Sequence, residues 1–285
     1  MKHINCNVIE KEASQNEFIL SNYEKIARLI IILDEMNHHS SCSTLVLKGG
    51  TAINIGILPL PRVSADIDLN YIGSLDKDTM KKERVQIQKT IYQFMTKNGY
   101  KFDSRNSKSH YSLDSYFYDY TTIKNSNDSL KIEINYSLRS LIFEPVQTST
   151  TITINGEKTK ILMEDPIETY ASKIVALLTR AKPRDLFDVN LMLKKDIFDV
   201  DQLKLLKKCV IFYHTIGSRN KWSDLTLCHI DSIDTDSVKK HLIPILPKNT
   251  EFDIEEAKKQ CKKFLTDVLI LSPQEEQFIV NFENK

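Results

Sequence analysis

Glycine is scarce in this chain, 7 residues in 285. That excludes glycine-rich linkers and makes any clustered pair informative. The five cysteines (Cys6, Cys42, Cys209, Cys228, Cys261) are scattered, odd in number and form no CxxC. They exclude a disulfide framework and a thiolate zinc site, and read as reduced thiols of a cytoplasmic protein. The longest apolar run, Leu29 to Leu33, is too short to span a bilayer. The opening "MKHINCNVIEKEASQ" lacks an apolar run and a small-residue cleavage site, so no signal peptide is expected. An excess of charge of one sign is also missing: 39 Lys+Arg face 38 Asp+Glu. Any basic surface for nucleic acid must therefore be local. No internal repeat appears, and the adjacent His38 and His39 lack helical ligand spacing and read as a surface helix end.

What remains is an ordinary globular composition, 41% apolar and 27% charged, long enough for one large domain or two modest ones. Residues 21–36 have apolar positions at helical spacing, with Ser21 as cap. A strand is expected over "SADIDLNYI" and a helix over "DKDTMKKERVQIQKTIYQFMTKNGY", stopped at Asn98-Gly99. Strand formers then dominate, in "HYSLDSYFYDYTTI", "LKIEINYSL" and a pair joined by the hairpin signal Asn155-Gly156. Helical signals take over after residue 162. The expected division is an α/β (α+β) domain over 1–160 and a mainly helical domain over 161–285.

The chemistry begins at "KGGTAINIGILPLPRVSADIDLNY", residues 48–71. Asp66 and Asp68 are two apart in a strand, so both carboxylates leave one face. Held close together they repel, unless a cation lies between them. Mg²⁺ fits, taking a few carboxylates with phosphate oxygens and water. A bare Asp-x-Asp is also an ordinary solvated strand face. Gly49 and Gly50 let a backbone approach a bulky anion, Thr51 adds a hydroxyl, and "TAINIGIL" reads as a short helix. The plain alternative is a tight turn. Ser64 could donate to a phosphate. In "LKIEINYSL", Leu130, Ile132, Ile134 and Tyr136 share one face, leaving Glu133 on the other with Lys131 and Asn135. If this strand neighbours Asp66 and Asp68, Glu133 is a third carboxylate for the same metals.

"EDPIETYASKIVALLTRAKPRDLFDVNLML" is a second informative stretch. Asp165 caps, Pro166 starts the helix, and Glu168 completes a capping-box-like start. Lys173 and Arg180 lie near one face, two turns apart. Ala181-Lys182-Pro183 breaks the helix, and a new one carries Arg184, Asp185 and Asp188, with Arg184 and Asp188 spaced for an i, i+4 pair. A lysine and an arginine could neutralise a triphosphate. Asp188 could orient Lys173 or Arg184. Solvated helices laced by ion pairs are the bland reading.

Taken together, "GGT…RVSADIDL", "KIEI", "KIVALLTR" and "RDLFD" resemble the AbiEii/AbiGii toxin family of nucleotidyltransferases, within the polymerase-β-like superfamily. The resemblance covers roughly residues 40–195. It implies a mixed-sheet nucleotidyltransferase domain followed by a helical domain that supplies Lys173 and Asp188 to the site. It also implies NTP as substrate, Mg²⁺ (or Mn²⁺) as cofactor, and a co-encoded antitoxin as partner. Asp66, Asp68, Glu133, Lys173 and Asp188 are the implied catalytic residues, with the first three on the metal. Lys48, Gly49, Gly50, Thr51, Ser64, Arg180, Arg184 and Asp185 are the candidates for the nucleotide. For some members of the family the acceptor is the 3′ end of tRNA. The sequence departs from the pattern in three places. Residues 52–65 form a long spacer, Glu133 stands where Asp is common, and the Lys173, Ala176 or Leu177, Arg180 motif is loose.

The leading expectation is an Mg²⁺-dependent transferase acting on RNA, in particular tRNA, as a toxin. Lys204, Lys207 and Lys208, with Arg219, Lys221 and Trp222 of "GSRNKW", are a candidate RNA patch. The tyrosines of "HYSLDSYFYDY" could stack bases or pack a sheet. Transfer to a protein hydroxyl or small molecule, and a non-catalytic binding protein on the same fold, are the alternatives.

Overall fold

A computed structural model describes residues 4–217 and 221–284. The chain forms two compact units: residues 1–165 with 245–249, and residues 166–244 with 250–285.

The first unit is a mixed sheet with helices packed on its apolar face. Helices α1 (Cys6–Gln15) and α2 (Leu20–Met36) lead into β1 (Leu45–Leu47). A single helical turn, α3 (Gly49–Thr51), runs into a π-helical stretch over Ala52–Ile57, and then come β2 (Asp66–Tyr71) and α4 (Lys77–Lys97). The remaining strands are β3 (Lys101–Phe102), β4 (Lys108–Ser109), β5 (Leu113–Thr121), β6 (Asn127–Asn135), β7 (Val146–Ser149) and β8 (Lys160–Met163). The strand order is β3-β5-β6-β2-β1-β8-β7, with β4 on β5.

Alternation in the strands decides which face is core. Tyr116, Tyr118 and Tyr120 of β5, Leu130, Ile132 and Ile134 of β6, and Ile67, Leu69 and Tyr71 of β2 are buried. They form one core with Ile26, Leu29, Ile30 and Ile32 of α2 and Ile87, Ile91 and Phe94 of α4. The tyrosines of β5 are thus sheet packing, while Tyr111 ahead of the strand is 74% exposed. Asp76 caps α4 by accepting from Thr79 N at 2.7 Å, and Gly99 ends the helix in the left-handed region. The expected Ser21 cap does not form: α2 starts at Leu20, with Ile19 in the cap position, two residues earlier. The turn at Asn155-Gly156 has both residues at positive φ, and the antiparallel arms β7 and β8 flank it.

The second unit is helical: α5 (Pro166–Arg180), α6 (Pro183–Lys194), α7 (Val200–Gly217), α8 (Cys228–Asp231), α9 (Thr235–His241), α10 (Ile254–Leu269) and α11 (Pro273–Glu283). Ala181 adopts φ +44 between α5 and α6, where the sequence breaks the helix. Among the described residues no helix is long and apolar enough to cross a membrane.

Candidate active site

Strand parity puts Asp66, Asp68 and Asn70 on the face of β2 opposite the core. Strand β6 runs parallel to β2, with Asp66 beside Lys131, Asp68 beside Glu133 and Asn70 beside Asn135. The three expected carboxylates are therefore neighbours on one sheet face. Glu133 makes an ion pair with Lys131 along its own strand. The polar face continues to Glu164, a buried residue the sequence did not single out, whose Oε1 accepts from Asn70 Nδ2 at 2.6 Å.

Asp68 carries the electrostatic strain of this arrangement. Burial pushes its carboxyl above the ordinary range, and repulsion from Asp66 and Glu133 adds to that. Lys48 and Lys131 pull the other way without cancelling the effect.

The glycine turn packs directly on these carboxylates. Gly49 has φ +69, and a Cβ there would stand 2.9 Å from Asp68 Oδ2. A Cβ on Gly50 would stand 2.8 Å from both Arg62 Nη2 and Ser64 Oγ. The backbone N–H of Lys48 donates to Asp68 O at 2.9 Å. Glycine is required here by close approach as well as by conformation. Ser64 thus borders the glycine turn. Thr51 is placed differently: its hydroxyl is fully buried and donates to Asp66 O at 2.6 Å, tying the turn to β2.

Arg62 was not picked out by sequence reasoning. It is 2% exposed, and its Nη1 donates to Val63 O at 2.9 Å. Asn54 holds it in place, accepting from Arg62 N at 3.2 Å while its own amide donates to Gly50 O. The π-helical stretch supplies Asn54, a use of irregular helix common near functional sites. The signal in the sequence is "RVSA", residues 62–65, immediately ahead of Asp66.

In the second unit, Lys173 is 8% exposed and lies 3.2 Å from Asp185 Oδ1 and 3.0 Å from Asp188 Oδ2. Both aspartates are fully buried. Arg180 grips Asp185 with two bonds, Nε to Oδ2 at 2.8 Å and Nη2 to Oδ1 at 2.9 Å. Burial alone would raise the Asp185 carboxyl, but Arg180 and Lys173 outweigh it and hold it below the ordinary range. The i, i+4 pairing of Arg184 with Asp188 is corrected: Arg184 is exposed and Asp188 turns inward to Lys173. Glu168 is also buried and accepts from Tyr213.

Two of the three candidate lysines on α7 have partners within the second unit. Lys204 pairs with Asp201 at 2.8 Å, and Lys207 donates to Ile270 O and lies 3.7 Å from Glu275. Trp222 is buried edge-on against His214. Arg219 lies outside the described residues.

The site is thus a mixed sheet bearing an Asp-x-Asp strand beneath a glycine turn. The chain matches the family "Nucleotidyl transferase AbiEii toxin, Type IV TA system" over residues 31–279, and it belongs to that family. It is accordingly a nucleotidyltransferase, the toxin of a type IV toxin–antitoxin system. Among solved structures it resembles MenT4, nucleotidyltransferase toxin Rv2826c from Mycobacterium tuberculosis H37Rv. The TM-score is 0.69 at 13% identity, covering 99% of this chain and 98% of that one. It also resembles JHP933 from Helicobacter pylori, with a TM-score of 0.50 at 19% identity, covering 92% and 95%. These likenesses show a shared fold. No curated protein sequence matched.

Proposed function

We propose that the protein transfers a nucleoside monophosphate from an NTP to the terminal hydroxyl of an RNA, tRNA being the expected acceptor, with Mg²⁺ or Mn²⁺ at Asp66 and Asp68. The observation that carries this reading is the β2–β6 register, which puts Glu133 beside Asp68 under the Gly49 backbone. The donor set fits a hard divalent cation, since it offers adjacent carboxylates in a strained, partly desolvated setting. When bound, such an ion would neutralise charge on the phosphates and on the attacking oxygen.

The chain's own residues set the geometry. The Gly49–Gly50 turn leaves room for a phosphate against the backbone, and Ser64 and the Arg62 guanidinium border Gly50. The acceptor oxygen forms a bond to the α-phosphorus as the bond to the β-phosphate oxygen breaks, and pyrophosphate departs. Glu133 is assigned to take the proton of the acceptor hydroxyl. Within the second unit, Lys173 is held by Asp185 and Asp188, and Arg180 grips Asp185.

The test is incubation with each of four α-labelled NTPs, in total RNA and in total cell protein. Label is expected in small RNA with one NTP preferred, and none with Asp66→Ala/Asp68→Ala. Label confined to protein would refute the RNA acceptor. A growth defect that survives the double substitution would refute catalysis as the basis of toxicity.

A further inference from the structure

Lys131 and Glu133 occupy successive positions on the same face of β6. Register places Lys131 next to Asp66 and Glu133 next to Asp68. The strand repeat separates two such Cα atoms by about 6.6 Å. Their side chains therefore meet only by leaning together, and they do form an ion pair. Among the described residues no three His, Cys, Asp or Glu side chains converge on a point that could hold a metal ion. Glu133 is close enough to raise the Asp68 carboxyl, yet its own carboxylate is turned to an ammonium. Burial opposes the charge on Lys131, but Glu133, Asp66 and Asp68 together sustain it.

We propose that Lys131 is a positioning residue that holds Glu133 away from the two aspartates, so that the resting protein takes one divalent ion at Asp66 and Asp68. Glu133 becomes a ligand only when Lys131 releases it. Charge balance supports this count. Three carboxylates facing the ammonium groups of Lys131 and Lys48 leave negative charge for no more than one divalent ion, and a second becomes favourable when a triphosphate brings its own negative charge. The inference rests on the reading of Asp66 and Asp68 as metal ligands.

The experiment is Mn²⁺ titration of the full chain without nucleotide, followed by the paramagnetic resonance of free Mn²⁺. Wild type is expected to bind one ion, abolished by Asp66→Asn/Asp68→Asn. Glu133→Gln should weaken that ion by less than about 10-fold, the effect of losing a neighbouring charge rather than a ligand. Lys131→Met should gain a second ion, which Lys131→Met/Glu133→Gln loses again, while Lys131→Arg keeps one. Two ions in the wild type, or a loss of roughly 10–100-fold in affinity on Glu133→Gln, would overturn the proposal. So would tighter binding in Lys131→Met that persists in the double variant, which would be a plain charge effect. If Lys131→Met fails to fold, the Glu133→Gln arm still decides. Absence of any Mn²⁺ binding by wild type would instead sink the metal reading beneath it.

Discussion

Replacing Gly49 by alanine perturbs one backbone position and one carboxylate together. The residue sits at φ +69, where an L side chain costs about 1–2 kcal/mol. The new Cβ would lie 2.9 Å from Asp68 Oδ2, 3.5 Å from its Cβ and 3.6 Å from its Cγ. The oxygen must turn away, and overpacking of this kind costs a further ~1–3 kcal/mol. Gly99 is the control. It has φ +82 and nothing within 4 Å of the place a methyl group would take, so Gly99→Ala meets only the backbone cost. Urea unfolding should therefore show Gly99→Ala less stable by about 1–2 kcal/mol and Gly49→Ala by about 2–5 kcal/mol. Mn²⁺ affinity and nucleotidyl transfer should fall in Gly49→Ala alone, transfer by about 100-fold for a shift on the order of 1 Å. If the two variants lose equal stability and Gly49→Ala keeps wild-type metal affinity, the turn does not set the carboxylate and the reading is wrong.

Lys173→Met removes the cation shared by two buried aspartates, and unfolding should show a loss of roughly 3–5 kcal/mol, while Arg180→Met at the exposed rim costs far less. His214 is 1% exposed, and burial lowers its pKa, with Glu283 partly offsetting that. Its folded pKa lies below the unfolded value of about 6.5, so stability should drop as pH falls through that value. His214→Leu should flatten this acid-side loss in a series of urea midpoints; an unchanged slope would show that His214 is not its source.

Part of the site was legible because it depends on parity alone. Alternation in "LKIEINYSL" put Glu133 on a polar strand face, and two-residue spacing put Asp66 and Asp68 together. What alternation cannot give is register: that Asp68 meets Glu133 while Asp66 meets Lys131 is fixed by pairing across sixty-odd residues. Lys131 was visible on the right face, but its grip on Glu133 depends on side-chain direction. Arg62 was hidden for another reason. An arginine in a proline-flanked loop reads as solvated, and only the folded turn shows its guanidinium buried against Gly50. The partners of the α7 lysines were equally hidden, since Lys207 meets Ile270 O and Glu275, which lie far along the chain. Arg184 and Asp188 had ideal spacing for a pair, but helix spacing competes with burial, and the buried Lys173 wins Asp188.

Asp68 and Asp185 are shifted in opposite directions, and that difference separates a ligand-seeking acid from a structural one. Asp68 is raised by burial and by its neighbours' charge, so the folded protein binds its proton more tightly than the unfolded chain does. The penalty for ionising it appears as pH rises above the unfolded value of about 3.9, and it is complete once the folded pKa is passed. Asp185 is lowered by Arg180 and Lys173, so its contribution is present above the same unfolded value and is lost as pH falls toward the folded pKa. At neutral pH without metal, Asp68→Asn should therefore stabilise the protein and Asp185→Asn should destabilise it. Urea midpoints in a chelator at pH 7 and near pH 4 give the comparison: the Asp68→Asn difference should shrink at the lower pH, while the Asp185→Asn difference should largely persist there and fade only at more acid pH. Adding Mn²⁺ should stabilise wild type but not Asp68→Asn, because only the wild type holds the repulsion that the ion relieves. A metal-free Asp68→Asn protein no more stable than wild type at pH 7 would mean that the cluster is already neutralised by Lys48 and Lys131, leaving no electrostatic demand for a cation.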